Sequence, residues 1–152
     1  MSTSIKVTEN TSVVNFNDIP ARFGGGFLSE LFQNAAHAGI NIDMISQAPS
    51  TADRISFGFT LSDSDMSKLL PLTSALADKY PKVTPLLNTG NIKITVHSDE
   101  MENETGFAAK VFSVLERLDI VPLLISTGVD EIALLVYESE RTALETELES
   151  IF

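Results

Sequence analysis

The chain has 152 residues, enough for one ordinary domain or two small ones, and no cysteine, which excludes disulfides, thiolate metal sites and a cysteine nucleophile. Its net charge of -11, from 10 Lys and Arg against 21 Asp and Glu, leaves too few cations for a face that binds nucleic acid. The start of the chain has no secretory-signal pattern and no apolar stretch approaches the roughly 20 residues that span a bilayer, so we expect a cytoplasmic protein without a membrane partner.

The first half of the chain reads as a series of strands and helices. Short strands are predicted at Ser4–Thr8 and Val13–Phe16. An apolar stripe at helical spacing then predicts a helix, formed by Leu28, Leu31, Phe32 and Ala35. Two strands follow at Ile40–Ser46 and Ile55–Leu61. The inner face of a second helix carries Leu69, Thr73, Leu76 and Tyr80. A strand at Val83–Leu87 ends this half.

The second half has the same order of patterns. A strand is predicted at Ile92–Val96, followed by a helix with a regular apolar stripe. The stripe consists of Phe107, Val111, Val114, Leu115 and Leu118. Two more strands are predicted at Ile120–Ser126 and Glu131–Tyr137. The last helix carries its stripe at Leu144, Leu148 and Ile151.

The two halves are copies of one unit, because the chain matches itself at an offset of 80 residues. The matching pairs are Gly26 with Gly106, Phe27 with Phe107, Phe32 with Phe112, Ile40 with Ile120, Ile45 with Ile125, and Ser46 with Ser126. Each copy has the order β-α-β-β-α, which is the order of a ferredoxin-like unit.

We therefore predict an α+β fold of two ferredoxin-like (βαββαβ) domains. Val83–Leu87 completes the first copy, whereas the second copy ends without a sixth strand. We expect Ser4–Thr8 to complete it, because an open sheet edge is normally covered. The first domain, residues 11–88, would then be inserted in the second, residues 1–10 plus 89–152. The alternative is that the first residues form a frayed terminus.

Three segments resemble the ACT domains of the aspartokinase regulatory region. GINIDMISQ (Gly39–Gln47) resembles the hallmark strand of the first ACT domain, and ISTGVDEIALLV (Ile125–Val136) is similar to the matching segment of the second. EMENETGFAAKVFSVL (Glu100–Leu115) resembles a further segment of the family. The resemblance covers nearly the whole chain and implies tandem ACT domains, the first inserted in the second, without the kinase domain. No glycine-rich phosphate loop with a lysine is found.

The resemblance also implies a binding site for a free amino acid, commonly lysine or threonine. In the family the ligand lies where the loop before the first helix of one ACT domain meets the second strand of an ACT domain in a partner chain. A loop of this kind suits an α-carboxylate because helix N-terminal N–H groups are unpaired. The residues at these positions are Gly24, Gly25, Gly26 and Phe27, with Gln47 on a strand and Val121 and Pro122 from the partner chain. A flexible glycine turn and a strand-end glutamine are the alternatives.

The family has an Asn-Ile pair where this chain has Val121 and Pro122, which loses an amide and a backbone donor. The second equivalent site would combine Thr105 and Gly106 with Asn41 and Ile42 of the partner. The loop that holds it is acidic and carries Asp99, Glu100, Glu102 and Glu104. These carboxylates could attract a lysine ammonium but would repel a carboxylate, and the alternative is that they are only solvated.

We expect a regulatory amino-acid-binding module that takes part in amino-acid biosynthesis through allosteric control, and that has no enzyme activity of its own. Its expected partners are a free amino acid, a second copy of the chain, and a kinase domain or subunit. No catalytic constellation, metal-ligand spacing or cofactor motif is found, so we predict no catalytic residue, metal or cofactor. The alternatives are a structural dimerisation module with decayed effector sites and a small enzyme on a ferredoxin-like fold.

Overall fold

The computed structural model describes residues 3–80 and 83–152, which form six strands and four α-helices. In chain order they are β1 (Thr3–Pro20), α1 (Ala21–His37), β2 (Ile45–Gln47), β3 (Arg54–Ser62), α2 (Met66–Lys79), β4 (Pro85–Ser98), α3 (Phe107–Leu118), β5 (Leu124–Thr127), β6 (Glu131–Val136) and α4 (Arg141–Ile151). Short 3-10 turns precede α2 and α4. The predicted α+β class is confirmed. Within the described ranges, no helix has both the length and the apolar character needed to cross a bilayer.

The chain divides into two compact units. The central unit consists of residues 10–89, and the terminal unit consists of the described residues 3–9 together with 90–152. The strands β1 and β4 contribute one segment to each unit. In the central unit the strand order is β2-β3-β1-β4, and in the terminal unit it is β1-β4-β6-β5.

Four short strands of the sequence-based prediction are joined into two long ones. The strand predicted at Ser4–Thr8 continues through Val13–Phe16 as β1, and the strands predicted on either side of Gly90 are joined as β4. The prediction of separate strands is wrong because the breaks are only single left-handed residues, Asn10 at φ 51° and Gly90 at φ 73°. Asn and Gly tolerate this conformation, so the strand continues on both sides.

The core of the central unit is rich in aromatic rings. Phe16 of β1 lies opposite Phe57 of β3, and the two rings stack at 5.5 Å between centroids. Phe27 of α1 packs edge-on against Phe16 at 5.0 Å. The predicted stripe of α1 is confirmed in its centre, because Leu31 and Ala35 are buried in this core. The arrangement places α1 and α2 over one face of the strands that they join.

The core of the terminal unit is mainly aliphatic. The predicted stripe of α3 is confirmed, and its buried members are Phe107, Val111, Val114 and Leu115. On α4, Leu144 and Leu148 are fully buried, but Ile151 is 36% exposed and does not belong to the core. Ile151 lies in the last turn of α4, and Phe152 packs there instead, with its ring 4.9 Å from that of Phe107.

The edge strands β2 and β5 begin later than the sequence predicts. The sequence predicts that these strands begin at Ile40 and Ile120. In the structure each of these residues instead forms part of the C-terminal cap of the preceding helix. The N–H of Ile40 donates to the carbonyl of Ala35 at 2.9 Å, and the N–H of Ile120 donates to that of Leu115 at 2.9 Å. These are Schellman-type ends, in which the apolar residue after the cap packs back onto the helix. Strand pairing therefore starts several residues further on.

Candidate functional site

The glycine loop predicted before the first helix does not form. The helix α1 begins at Ala21, so Gly24, Gly25 and Gly26 lie within it. Inside a helix the N–H groups bond to carbonyls one turn earlier, which leaves no glycine cradle for an anion. The prediction of a loop here is wrong. The side chain of Phe27 is fully buried in the core of the central unit and is not available to a ligand.

Tertiary contacts explain why this glycine-rich segment is helical. A Cβ on Gly24 would lie 2.8 Å from Cδ1 of Ile55, so the helix passes close to β3 at this point. The N–H of Ala21 donates to the carbonyl of Asp53 at 2.8 Å and anchors the first turn. Three glycines disfavour a helix by about 1 kcal/mol each relative to alanine. The burial of the apolar stripe that follows offsets this cost.

A cleft of about 470 Å³ lies at the N-terminus of α1. Its lining residues are Pro20, Ala21, Arg22, Ala52, Asp53 and Arg54. A second cleft, of about 570 Å³, lies next to the end of β1. It is lined by Asn17, Asp18, Arg54, Thr84 and Leu86. Arg54 is common to both clefts, and all these residues belong to the central unit.

The arginines of the first cleft differ from the other two arginines of the chain. Arg117 pairs with a glutamate at 3.4 Å and Arg141 pairs with two. Neither Arg22 nor Arg54 forms an ion pair with a carboxylate in residues 3–80 and 83–152. The Arg22 guanidinium lies over the Phe23 ring, 4.7 Å from its centroid. In a chain with such an excess of acid, two cations without carboxylate partners at one helix N-terminus favour an anionic ligand group.

The backbone around the two clefts is unusually strained. Asp18, Ala52 and Asp53 are left-handed, with φ of 56°, 49° and 58°. Ala52 and Asp53 form a two-residue turn closed by hydrogen bonds of 2.9 and 3.0 Å between Thr51 and Arg54. Such turns normally use Asn-Gly or Asp-Gly. The sequence did not predict this cleft because its residues lie on separate segments of the chain. Strain of this kind concentrates at functional sites.

A comparison with curated proteins finds matches to aspartokinases. The chain is 26% identical over 113 residues to the aspartokinase of Bacillus sp. (strain MGA3), a match that covers 74% of this chain and 28% of the relative. It is 26% identical over 127 residues to the aspartokinase of Geobacillus stearothermophilus, covering 82% of this chain and 30% of the relative. The chain thus spans less than a third of the length of the curated relatives it matches. No family model matches the chain.

Solved structures match over almost the whole chain. The ligand-free regulatory subunit of aspartate kinase from Thermus thermophilus has a TM-score of 0.88 at 18% identity, and the match covers 97% of this chain and 96% of that one. The chain has the fold of an aspartokinase regulatory region. E. coli aspartokinase III in complex with lysine and aspartate also matches, with a TM-score of 0.69 at 19% identity over 98% of this chain and 33% of that one. The resemblance predicted from the sequence is confirmed.

In this aspartokinase regulatory fold, the remaining predicted residues of the central unit lie at the edge strand. Gln47 ends β2, is exposed and lies opposite Phe57. Asn41 is exposed in the segment before β2, whereas Ile42 is half-buried against the core. Neither polar side chain forms a hydrogen bond within the described ranges. Both are therefore available to a ligand or to another chain.

In the terminal unit, residues 99–106 form a series of turns before α3, where the sequence predicted a loop. Gly106 is left-handed, at φ 89°, and is the N-cap of α3, with the exposed Thr105 before it. Glu104 pairs with Lys110 at 2.8 Å. Val121 and Pro122 lie between α3 and β5, and Val121 is 81% exposed. Among the described residues, no group of His, Cys, Asp and Glu is arranged to hold a metal ion.

Proposed function

We propose that the chain is an amino-acid-binding regulatory module, similar to the lysine- and threonine-sensing allosteric region of aspartokinase, and that it acts on a kinase domain or subunit. The observation that carries this proposal is the match to the Thermus thermophilus regulatory subunit over 97% of this chain and 96% of that one. A match to a regulatory subunit over nearly its whole length supports a regulatory role for this chain.

The cleft at the start of α1 supports binding of a free amino acid. Arg22, Arg54 and the N-terminus of α1 offer positive charge to an α-carboxylate. Asp53 lines the same cleft and offers a carboxylate to the ammonium group. A zwitterion would satisfy both sets of groups, and lysine and threonine are the first ligands to test. In this proposal the cleft replaces the glycine cradle that the sequence predicted at Gly24–Gly26.

Association of two copies would complete a further site. We propose that Thr105 and Gly106 of one chain face Asn41 and Ile42 of a second copy, with Gln47 at the same edge. The left-handed N-cap of α3 and the exposure of Asn41 and Gln47 support this pairing. The differential affinity of the ligand for two arrangements of the copies would then shift the activity of the kinase.

The domain boundaries belong to the same proposal. We assign one ACT domain to residues 11–88 and the other to residues 1–10 plus 89–152, with the first inserted in the second. The division of the described residues after Glu9 and after Thr89 supports these boundaries. The left-handed Asn10 and Gly90 lie next to these two points.

A structural dimerisation module with decayed effector sites is the second candidate. Two observations favour it. The segment Gly24–Gly26 is helical and offers no loop to a ligand. Val121 and Pro122 offer no side-chain hydrogen-bond donor at the position where the family has an Asn-Ile pair.

Isothermal titration of the chain with lysine, threonine, methionine and aspartate separates the two candidates. We expect heat with at least one of them, and a binding constant weakened roughly tenfold in Arg22→Gln, the loss expected for one charged hydrogen bond. Lys68→Gln is the matched control, because Lys68 is an exposed cation on α2 that does not line either cleft.

Absence of heat with every amino acid, together with a stable dimer in light scattering, would favour the structural module. Mixing the chain with an aspartokinase catalytic domain tests the regulatory part. A change in phosphorylation rate that depends on the bound amino acid is expected. A rate that is identical with and without the chain contradicts regulation of that kinase.

A further inference from the structure

The side chain of Arg54 lies between the two clefts of the central unit and forms a single described hydrogen bond. Its Nη1 donates to the backbone carbonyl of Asp18 at 3.1 Å. The residue is exposed, and its side chain lines both clefts. A ligand in either cleft can therefore reach the guanidinium that holds Asp18.

Asp18 lies in an irregularity of β1. The register with β3 shifts between Phe16 and Ile19, and Asp18 within this bulge is left-handed at φ 56°. The N–H of Asp18 donates to Oγ of Ser56 at 3.1 Å. Two side chains of β3, Ser56 and Arg54, thus hold one strained residue of β1 from its two sides. Loss of either bond would let the bulge relax.

We propose that Arg54 is the residue through which a bound amino acid changes the conformation of the chain. The carboxylate of the ligand draws the guanidinium away from the carbonyl of Asp18, and the bulge at Asn17 and Asp18 is released. A guanidinium binds a carboxylate with two parallel, charge-assisted hydrogen bonds, each stronger than a bond to a neutral carbonyl. In this proposal Nη1 is one of the two donors to the ligand, so its bond to the Asp18 carbonyl is lost. This inference rests on the amino-acid binding proposed above.

Arg22 provides a comparison within the same cleft. It lines the cleft at the start of α1, but its guanidinium lies over the Phe23 ring and it has no hydrogen bond to β1 within the described residues. Arg22 can therefore contribute to affinity without acting on the bulge. The two arginines should differ in one measurable respect, the response of Asp18 to the ligand.

Hydrogen exchange of the Asp18 and Ile19 amides, followed by NMR on the full chain with and without saturating lysine or threonine, tests the proposal. In the wild type the bound ligand should speed exchange at Asp18 roughly tenfold, because release of the bulge would also free the Asp18 N–H from Oγ of Ser56. In Arg54→Gln the Asp18 amide should exchange at the fast rate without ligand and should not respond to it. In Arg22→Gln binding should be weaker, but exchange at saturation should still rise. Lys68→Gln should behave as the wild type in both respects.

The outcomes separate this inference from the function on which it depends. If calorimetry detects binding but the exchange rate at Asp18 stays the same, the role of Arg54 is refuted while the amino-acid site stands. The same holds if Arg54→Gln responds to the ligand as the wild type does. If no amino acid of the panel binds the wild-type chain, both the site and the role of Arg54 are refuted.

Discussion

The backbone N–H of Ala21 donates a hydrogen bond to the carbonyl oxygen of Asp53 at 2.8 Å, and this bond joins the start of α1 to the left-handed turn before β3. The two residues are far apart in the sequence, yet together they define one wall of the cleft. The position of the helix N-terminus, and with it the charge available to a ligand, therefore depends on a turn that follows much later in the chain.

A substitution in this turn should increase the stability of the chain. Ala52 is left-handed, a conformation that disfavours alanine by about 1 kcal/mol but suits asparagine. We expect Ala52→Asn to raise the free energy of unfolding by about 0.5–1 kcal/mol in urea denaturation. Ala48→Asn is the control, since Ala48 is exposed and is not left-handed. A loss of stability in Ala52→Asn would contradict the turn geometry.

The helical state of the glycine segment can be tested by stability. A Cβ on Gly25 would meet no atom within 4 Å, so Gly25→Ala should stabilise the chain by about 0.5–1 kcal/mol. Gly24→Ala should gain less, because its Cβ would approach Ile55 at 2.8 Å. Gly106→Ala should lose stability, because φ is 89° there. Chemical denaturation measures all three. No gain from Gly25→Ala would indicate a loop in place of a helix.

Two phenylalanines, one on a helix in each half of the chain, differ in how deeply their side chains are buried. Phe27 is fully buried, so Phe27→Ala should cost about 3–5 kcal/mol of unfolding free energy. Phe112 on α3 is 38% exposed, and Phe112→Ala should cost distinctly less. The comparison uses one chemical change at two burial levels. Equal losses in a thermal melt would show that the assignment of Phe27 to the core is mistaken.

The contact between α2 and α1 should depend on pH in the alkaline range. The hydrogen bond from Lys79 Nζ to Oε2 of Glu30, at 2.9 Å, raises the pKa of Lys79 above its ordinary value of 10.5. A raised pKa means that the stabilisation is present below pH 10.5 and is lost as the pH rises through the folded-state pKa. The melting temperature of Lys79→Gln should therefore be below that of the wild type near neutral pH, and the difference should shrink above pH 10.5. High salt should also reduce the difference. A difference that is independent of pH would exclude the ion pair as its source.

The sequence by itself determined the features that depend on local periodicity. Phe107, Val111 and Val114 recur at helical spacing and are buried in α3 as expected. The match between the halves, such as Phe27 with Phe107, predicts two related units from the sequence alone. The ACT resemblance also rests on local segments, of which GINIDMISQ is the clearest. Hydrophobic spacing and short motifs are contained in neighbouring residues, so they can be read without the fold.

Only the tertiary structure decided where α1 begins and where the cleft lies. A glycine run predicts a loop, because glycine disfavours a helix. The close approach of Gly24 to Ile55 and the bond from Ala21 to Asp53 reverse that preference. Arg22 and Arg54 likewise come together only through the fold. Contacts between residues distant in the chain have no local signature. A sequence pattern therefore predicts the helices and strands but not the cleft that they form.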